Sequence, residues 1–255
     1  MNSFLSDGLN IAFETHGEGK PIVLIHGFAS NGRTNWVDTG WVDILKDAGY
    51  GPVTIDNRGH GRSEKIYDPT LYPARLMARD VAGLIDHLGL NEAFGPVPIL
   101  GYSMGARISA YVALDFAEKI SSAVFGGLGI NMLHGLGNSD DIVAGLLAPS
   151  LDEVATPAGR QFRIFAEHTG SDLRALATCL QSSRERISIA ELGEIDMPVL
   201  VAVGDLDEIG GSAEELAQLL PKGEALIIKG RDHMRATGDK SFKQGVIEFL
   251  AQIPN

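Results

Sequence analysis

Apolar residues along this chain fall into two periodicities that alternate with each other. Near the start, FLSDGLNIAFET puts Leu9, Ile11 and Phe13 on one side of an extended segment, with Asp7-Gly8 as the turn ahead of it, so a hairpin is predicted. Short apolar runs follow at 21–25, 52–55, 97–100 and 197–203. They lack alternation, as strands covered on both faces do. Between them lie helical spacings: Met77, Val81, Leu84, Ile85 and Leu88 are separated by steps of 4, 3, 1 and 3, and Gly89 follows as a stop signal. Residues 105–119 are apolar nearly all round, which suits a helix packed deep against a sheet. Ser212 with Glu215 makes a capping-box pattern ahead of Leu216, Leu219 and Leu220, and Phe242, Val246, Phe249 and Leu250 mark a final amphipathic helix. Strands alternating with helices predict an α/β protein with a mostly parallel sheet covered on both sides.

One region breaks the rhythm. After the apolar run 123–125 comes GGLGINMLHGLGNS, then about sixty residues of helix-like sequence before the next strand at Met197. An insertion of this length reads most simply as a lid or cap over residues 128–195, leaving 1–127 and 196–255 as the core; an ordinary crossover enlarged by drift is the alternative. The five glycines between 126 and 137 are expected to form a flexible connection into it. Met132, Leu133, Leu146, Leu147, Phe162 and Phe165, with Ala29 below them, are the expected apolar lining of a pocket.

Composition narrows the partners. The 255 residues suffice for one domain with an insertion, and 44% hydrophobic with 21% charged residues is ordinary for a globular protein. A formal charge of -12 argues against nucleic acid and leaves a small-molecule substrate as the expected partner. Cys179 is the single cysteine, so neither an intramolecular disulfide nor a cysteine zinc cluster is possible. MNSFLSDGLN lacks a basic and an apolar leader region, and no run approaches the roughly 20 apolar residues of a membrane span. A cytoplasmic protein is the expectation. With no metal-ligand cluster or dinucleotide fingerprint, no cofactor and no metal are expected.

The chemistry concentrates where apolar runs end. GYSMG, 101–105, fits G-x-S-x-G between the strand PVPIL and the helical GARISAYVALDF, the setting of a nucleophile elbow. A nucleophile in that sharp turn needs small neighbours, hence Gly101 and Gly105, and Ser103 would project at a helix N-terminus where backbone amides favour a developing oxyanion. LIHGFAS ends an earlier run; there the Phe28 amide is expected to join the Met104 amide as oxyanion donors, with His26 bracing the loop. In DNRGHGRS, Asp56 and Arg58 are expected to pair and fix a loop, and His60 has no orienting acid. VLVAVGDLDE offers two acids; Asp207 is the expected catalytic carboxylate and Asp205 a turn or capping residue. Of the seven histidines, His233 alone combines a late loop after a strand with a position downstream of Ser103 and Asp207.

HGF at 26–28, DNRGHGRS at 56–63, GYSMG at 101–105, GDLD at 204–207 and His233 together resemble the α/β-hydrolase fold family over nearly the whole chain. Their order and their strand-end positions make the joint match specific. The resemblance implies an eight-stranded, mostly parallel sheet, a helical cap between strands six and seven, and Ser103, Asp207 and His233 as a catalytic triad. Two positions depart from the pattern. Asp232 stands where the family often has Gly before its histidine, and either raises that histidine's pKa or shapes the loop. Ala106 stands where many relatives carry a second Gly. The activity implied is hydrolysis of an ester of a small to medium hydrophobic acyl group; lactones, amides, diketone C–C bonds and perhydrolase-like chemistry use the same residues, and a non-catalytic small-molecule receptor is the rival of another class.

Overall fold

The computed structural model describes residues 2–135, 137, 139–182 and 186–253. Eight strands make one sheet: β1 Asn2–Ser6, β2 Leu9–Thr15, β3 Lys20–Ile25, β4 Tyr50–Ile55, β5 Val97–Tyr102, β6 Ile120–Gly126, β7 Val199–Gly204 and β8 Gly223–Ile228. Their order is β1-β2-β4-β3-β5-β6-β7-β8, antiparallel only where β2 meets β1 and β4. The β1–β2 hairpin closes through Asp7 and Gly8, whose φ values of 48° and 80° are those of the primed turns that match strand twist.

Eleven helices accompany the sheet among the described residues: α1 Trp41–Asp47, α2 Ala74–His87, α3 Leu90–Phe94, α4 Met104–Asp115, α5 Ser139–Leu147, α6 Pro157–His168, α7 Leu173–Ser182, α8 Ile189–Gly193, α9 Ala213–Ala217, α10 His233–Ala236 and α11 Lys240–Leu250. α2 ends at Gly89, which takes φ +61° as the stop signal requires. α4 is shorter than the apolar stretch 105–119 predicts, because Phe116 leaves helical geometry and a 3-10 turn follows. α1 is not among the elements the spacing predicts. It carries Trp41 and Leu45, both fully buried, into the layer formed with α11.

Two apolar layers therefore sandwich the sheet. Val23, Ile25, Ile99, Val201 and the inner faces of α2 and α4 form one, and Leu24, Leu100, Val124, Trp36, Trp41 and Phe242 form the other. Alternate residues of the central strands β3 to β7 feed opposite layers, which is why these strands are buried nearly throughout. α5 to α8 all lie between β6 and β7, and a third cluster of Ile142, Leu146, Ala166, Leu176, Ala177 and Leu180 packs α5, α6 and α7 together over Ala29. Buried Arg163 of α6 donates to the carbonyls of Gly145, Leu146 and Ala148, satisfying the C-terminal end of α5. No helix among the described residues is long and apolar enough to cross a membrane.

Candidate active site

The loops after β3, β5, β7 and β8 meet at the C-terminal edge of the parallel strands, where open α/β sheets place their ligand crevices. At the end of β5, Ser103 sits at φ 54°, ψ -111°, a backbone state that costs on the order of 1–3 kcal/mol for a residue with a Cβ. Its surroundings hold it there. The Ser103 amide donates to Gly126 O at 2.7 Å, and its carbonyl accepts from the amides of Ala106 and Arg107 in the first turn of α4. A Cβ on Gly101 would lie 2.1 Å from Gly105 O, and one on Gly105 would lie 2.0 Å from Ile25 O, so the turn closes only with glycine at both positions.

His233 follows β8 and begins α10. Its Nε2 lies 2.9 Å from Ser103 Oγ, and its Nδ1 lies 2.8 Å from Asp207 Oδ2. Asp207 Oδ1 accepts from the amides of Ile209 at 3.0 Å and Gly210 at 2.8 Å, which fixes the carboxylate plane. The backbone carbonyl of His233 accepts from the Tyr102 hydroxyl at 2.5 Å, tying the histidine loop to the strand that carries Ser103. Asp205 reaches across to the Gly230 amide at 2.6 Å and joins the loops after β7 and β8. Asp232 caps α10, accepting from the amides of Met234 and Arg235, and so shapes the loop that carries His233.

The HGF loop is held from below. His26 is fully buried; its Nδ1–H donates to Gly27 O at 2.7 Å and its Nε2 accepts from the Asn57 amide at 2.9 Å, which assigns the tautomer. Asn35 Oδ1 accepts from the Gly27 amide at 3.0 Å. Burial pulls the His26 pKa down to about 4. Burial, and then the neighbouring His26, pulls His60 down to about 3. The His60 ring meets Phe28 edge to face at 5.7 Å. No hydrogen-bond acceptor for the Phe28 or Met104 amide is found among the described residues.

The expected Asp56–Arg58 pair does not form. Arg58 is fully buried and makes a bidentate pair with Asp80 of α2, Nε to Oδ2 at 2.7 Å and Nη2 to Oδ1 at 2.6 Å, while Asp56 accepts from the amides of Gly32 and Arg62. The reason is direction: Arg58 points under the sheet edge onto the inner face of α2, and Asp56 faces the turns it closes.

A cavity of about 320 Å³ opens at Ser103 and His233. Of the residues expected to line it, Phe162 and Phe165 do, together with Phe28 and Met104. Ala29, Met132, Leu133, Leu146 and Leu147 do not. Met132 and Leu133 pack into the core layer, Ala29 and Leu146 join the cluster inside the inserted helices, and Leu147 faces solvent. Leu146 lies on the buried face of α5, which is consumed in packing against α6 and α7. The sequence reading missed Ala74, Met77, Leu128 and Leu180 on the apolar side of the cavity, and Asn131, His134, Arg107 and Arg186 on its polar side. Arg107 was findable, since it lies four residues after Ser103 on the same helix face. No group of three or more potential metal ligands occurs among the described residues.

Comparison with known proteins agrees with this architecture. The family model described as alpha/beta hydrolase fold matches residues 20–147. The non-heme chloroperoxidase CPO-A1 of Kitasatospora aureofaciens is 27% identical over 96% of this chain and 97% of its own length. Among solved structures, Est816, described as an N-acyl homoserine lactone degrading enzyme, superposes with a TM-score of 0.74 at 22% identity over 98% of this chain and 99% of its own. The meta-cleavage product hydrolase CumD of Pseudomonas fluorescens IP01 superposes at 0.75 with 18% identity over 99% and 98%. At those identities the two structures speak for the fold alone.

Proposed function

The chain belongs to the alpha/beta hydrolase fold family, and from that premise we propose that it is a serine hydrolase acting on an ester, or a related activated carbonyl, of a small to medium acyl substrate. The observation that carries this reading is the continuous hydrogen-bonded line from Ser103 Oγ through His233 to Asp207, at 2.9 and 2.8 Å, at the mouth of a partly apolar cavity. In this reading His233 Nε2 takes the Ser103 proton as Oγ attacks the carbonyl carbon, and Asp207 holds the imidazole in the tautomer that leaves Nε2 free to accept. The Phe28 and Met104 amides receive the oxyanion; losing one such donor typically costs about 3 kcal/mol of transition-state stabilisation. His233 then protonates the leaving alcohol, and the acyl-enzyme is released by water that the same histidine activates.

Ser at the elbow argues against the aspartyl-ester chemistry of relatives that carry Asp there. The test is direct: wild type should hydrolyse short p-nitrophenyl esters and be labelled by a fluorophosphonate, and Ser103→Ala should do neither. Equal behaviour of both proteins on a panel of esters, lactones and diketones, without serine labelling, would establish a non-catalytic receptor instead.

A second reading is favoured by the near full-length match to a chloroperoxidase. Hydrogen peroxide in place of water would release the same acyl group as a peracid. Peracid formation from acetate and peroxide, lost in Ser103→Ala, distinguishes this capacity from simple hydrolysis.

A further inference from the structure

Asn131 lies in the connection from β6 into the inserted helices, remote in sequence from the acid loop, yet its side chain is pressed against that loop. Its Nδ2 donates to Glu208 O and to Ile209 O, both at 3.1 Å. Those two carbonyls belong to the same two peptide units whose N–H groups, on Ile209 and Gly210, hold Asp207 Oδ1 at 3.0 and 2.8 Å. A peptide unit is planar, so fixing its oxygen fixes the direction of its N–H. The carboxamide of Asn131 thus grips the outer ends of the two dipoles whose inner ends orient the Asp207 carboxylate.

The surrounding contacts leave it little freedom. The Gly129 amide donates to Gly210 O at 2.8 Å and the Ile130 amide to Ser212 O at 2.9 Å. A Cβ on Gly129 would lie 2.3 Å from Ser212 O, and one on Gly211, at φ +71°, would lie 3.0 Å from Asn131 Cγ. The two glycine-bearing loops therefore interlock at backbone distance, with the Asn131 amide between them. From the other side, Arg107 Nη1 donates to Met132 O at 2.7 Å and Nη2 to Asn131 O at 3.4 Å, so α4 carries both Ser103 at its cap and the anchor of the residue that steadies Asp207.

We infer that Asn131 is a positioning residue for Asp207, acting through the peptide units at 208–210. The inference rests on the serine-hydrolase reading above. Two variants separate it from a cavity-lining or merely structural role: Asn131→Ala removes the donor, and Asn131→Asp keeps the shape but turns a carboxylate toward two carbonyl oxygens. On a short p-nitrophenyl ester, kcat should fall roughly ten- to a hundredfold in both, the scale on which misplacement by about an ångström acts, while KM stays within a few-fold of wild type. The low-field proton NMR resonance of the His233 Nδ1–H, identified by its loss in Asp207→Asn, should shift or broaden in both variants while the folded spectrum is retained. An unchanged resonance with kcat within twofold of wild type overturns the inference, as does a loss confined to KM. The resonance needs no turnover. If wild type neither turns over esters nor takes a fluorophosphonate label, the hydrolase reading fails, and the resonance still reports whether Asn131 holds Asp207.

Discussion

At Asp207 the two carboxylate oxygens divide their work, one on two backbone amides and the other on His233. Replacing it with Asn keeps the size but presents either an N–H₂ to His233 Nδ1 or an unmatched donor to the amides. Asp207→Asn should therefore lower kcat/KM by about 10⁴, the effect known for such acids, whereas Asp205→Asn and Asp232→Asn should stay near wild type, because an Asn oxygen still accepts from the Gly230 amide or caps α10. The reverse ranking in steady-state kinetics would remove Asp207 from the mechanism. His26 and His60 give a second prediction at this scale. Their folded pKa values of about 4 and about 3 lie below the 6.5 of an exposed histidine, so unfolding takes up protons below pH 6.5. The contribution of these two histidines is then fully present above pH 6.5 and is lost progressively as pH falls toward 4. Urea midpoints measured from pH 7 to pH 4.5 check this: His60→Phe should lose stability less steeply than wild type, and equal slopes would refute the assignment to burial. The types and spacing of these residues were legible in the sequence. Which partner each would choose was not, and Arg58 shows why: pairing with Asp80 rather than the nearby Asp56 depends on where α2 lies.

At the scale of elements, the turn between β5 and α4 holds Ser103 in its unfavourable backbone state by close approach to β3. Gly105→Ala would push a methyl to 2.0 Å from Ile25 O, and the expected cost is about 3 kcal/mol or more, read from denaturant unfolding together with loss of activity. Ala106→Gly should leave activity near wild type and cost less, on the order of 1–2 kcal/mol, for a deleted buried methyl and a glycine in the helix. The glycines expected to make the connection after β6 flexible act differently at its start. A Cβ on Gly127 would meet the Tyr102 ring at 2.5 Å, and one on Gly129 would meet Ser212 O at 2.3 Å, whereas one on Gly135 or Gly137 would meet nothing within 4 Å among the described residues. A glycine needed for close contact and one needed for freedom look the same in a sequence. The central strands were readable because burial on both faces leaves an apolar run, while α1 was not, its short span offering too few turns for a periodicity to emerge.

For the whole molecule, the cavity is bounded on its apolar side by Phe28, Met77, Phe162, Phe165 and Leu180, drawn from the core and from the inserted helices. If the proposed acyl substrate seats there, each buried methylene should be worth about 0.8 kcal/mol, roughly fourfold in kcat/KM, until the volume of about 320 Å³ is filled. A series of p-nitrophenyl esters should show a rise and then a fall with chain length, and Phe162→Ala should move the maximum to longer chains. A flat series would place the acyl group outside the cavity. The sequence by itself determined the layered α/β architecture and brought forward Ser103, Asp207 and His233, since periodicity and strand-end motifs are local properties that survive without neighbours. Only the tertiary structure decided which apolar residues line the cavity and which pack the inserted helices, that Arg58 belongs to Asp80, and that Asn131 grips the acid loop. Those outcomes depend on distances between segments far apart in the chain, and such distances exist only once the sheet has brought its loops to one edge.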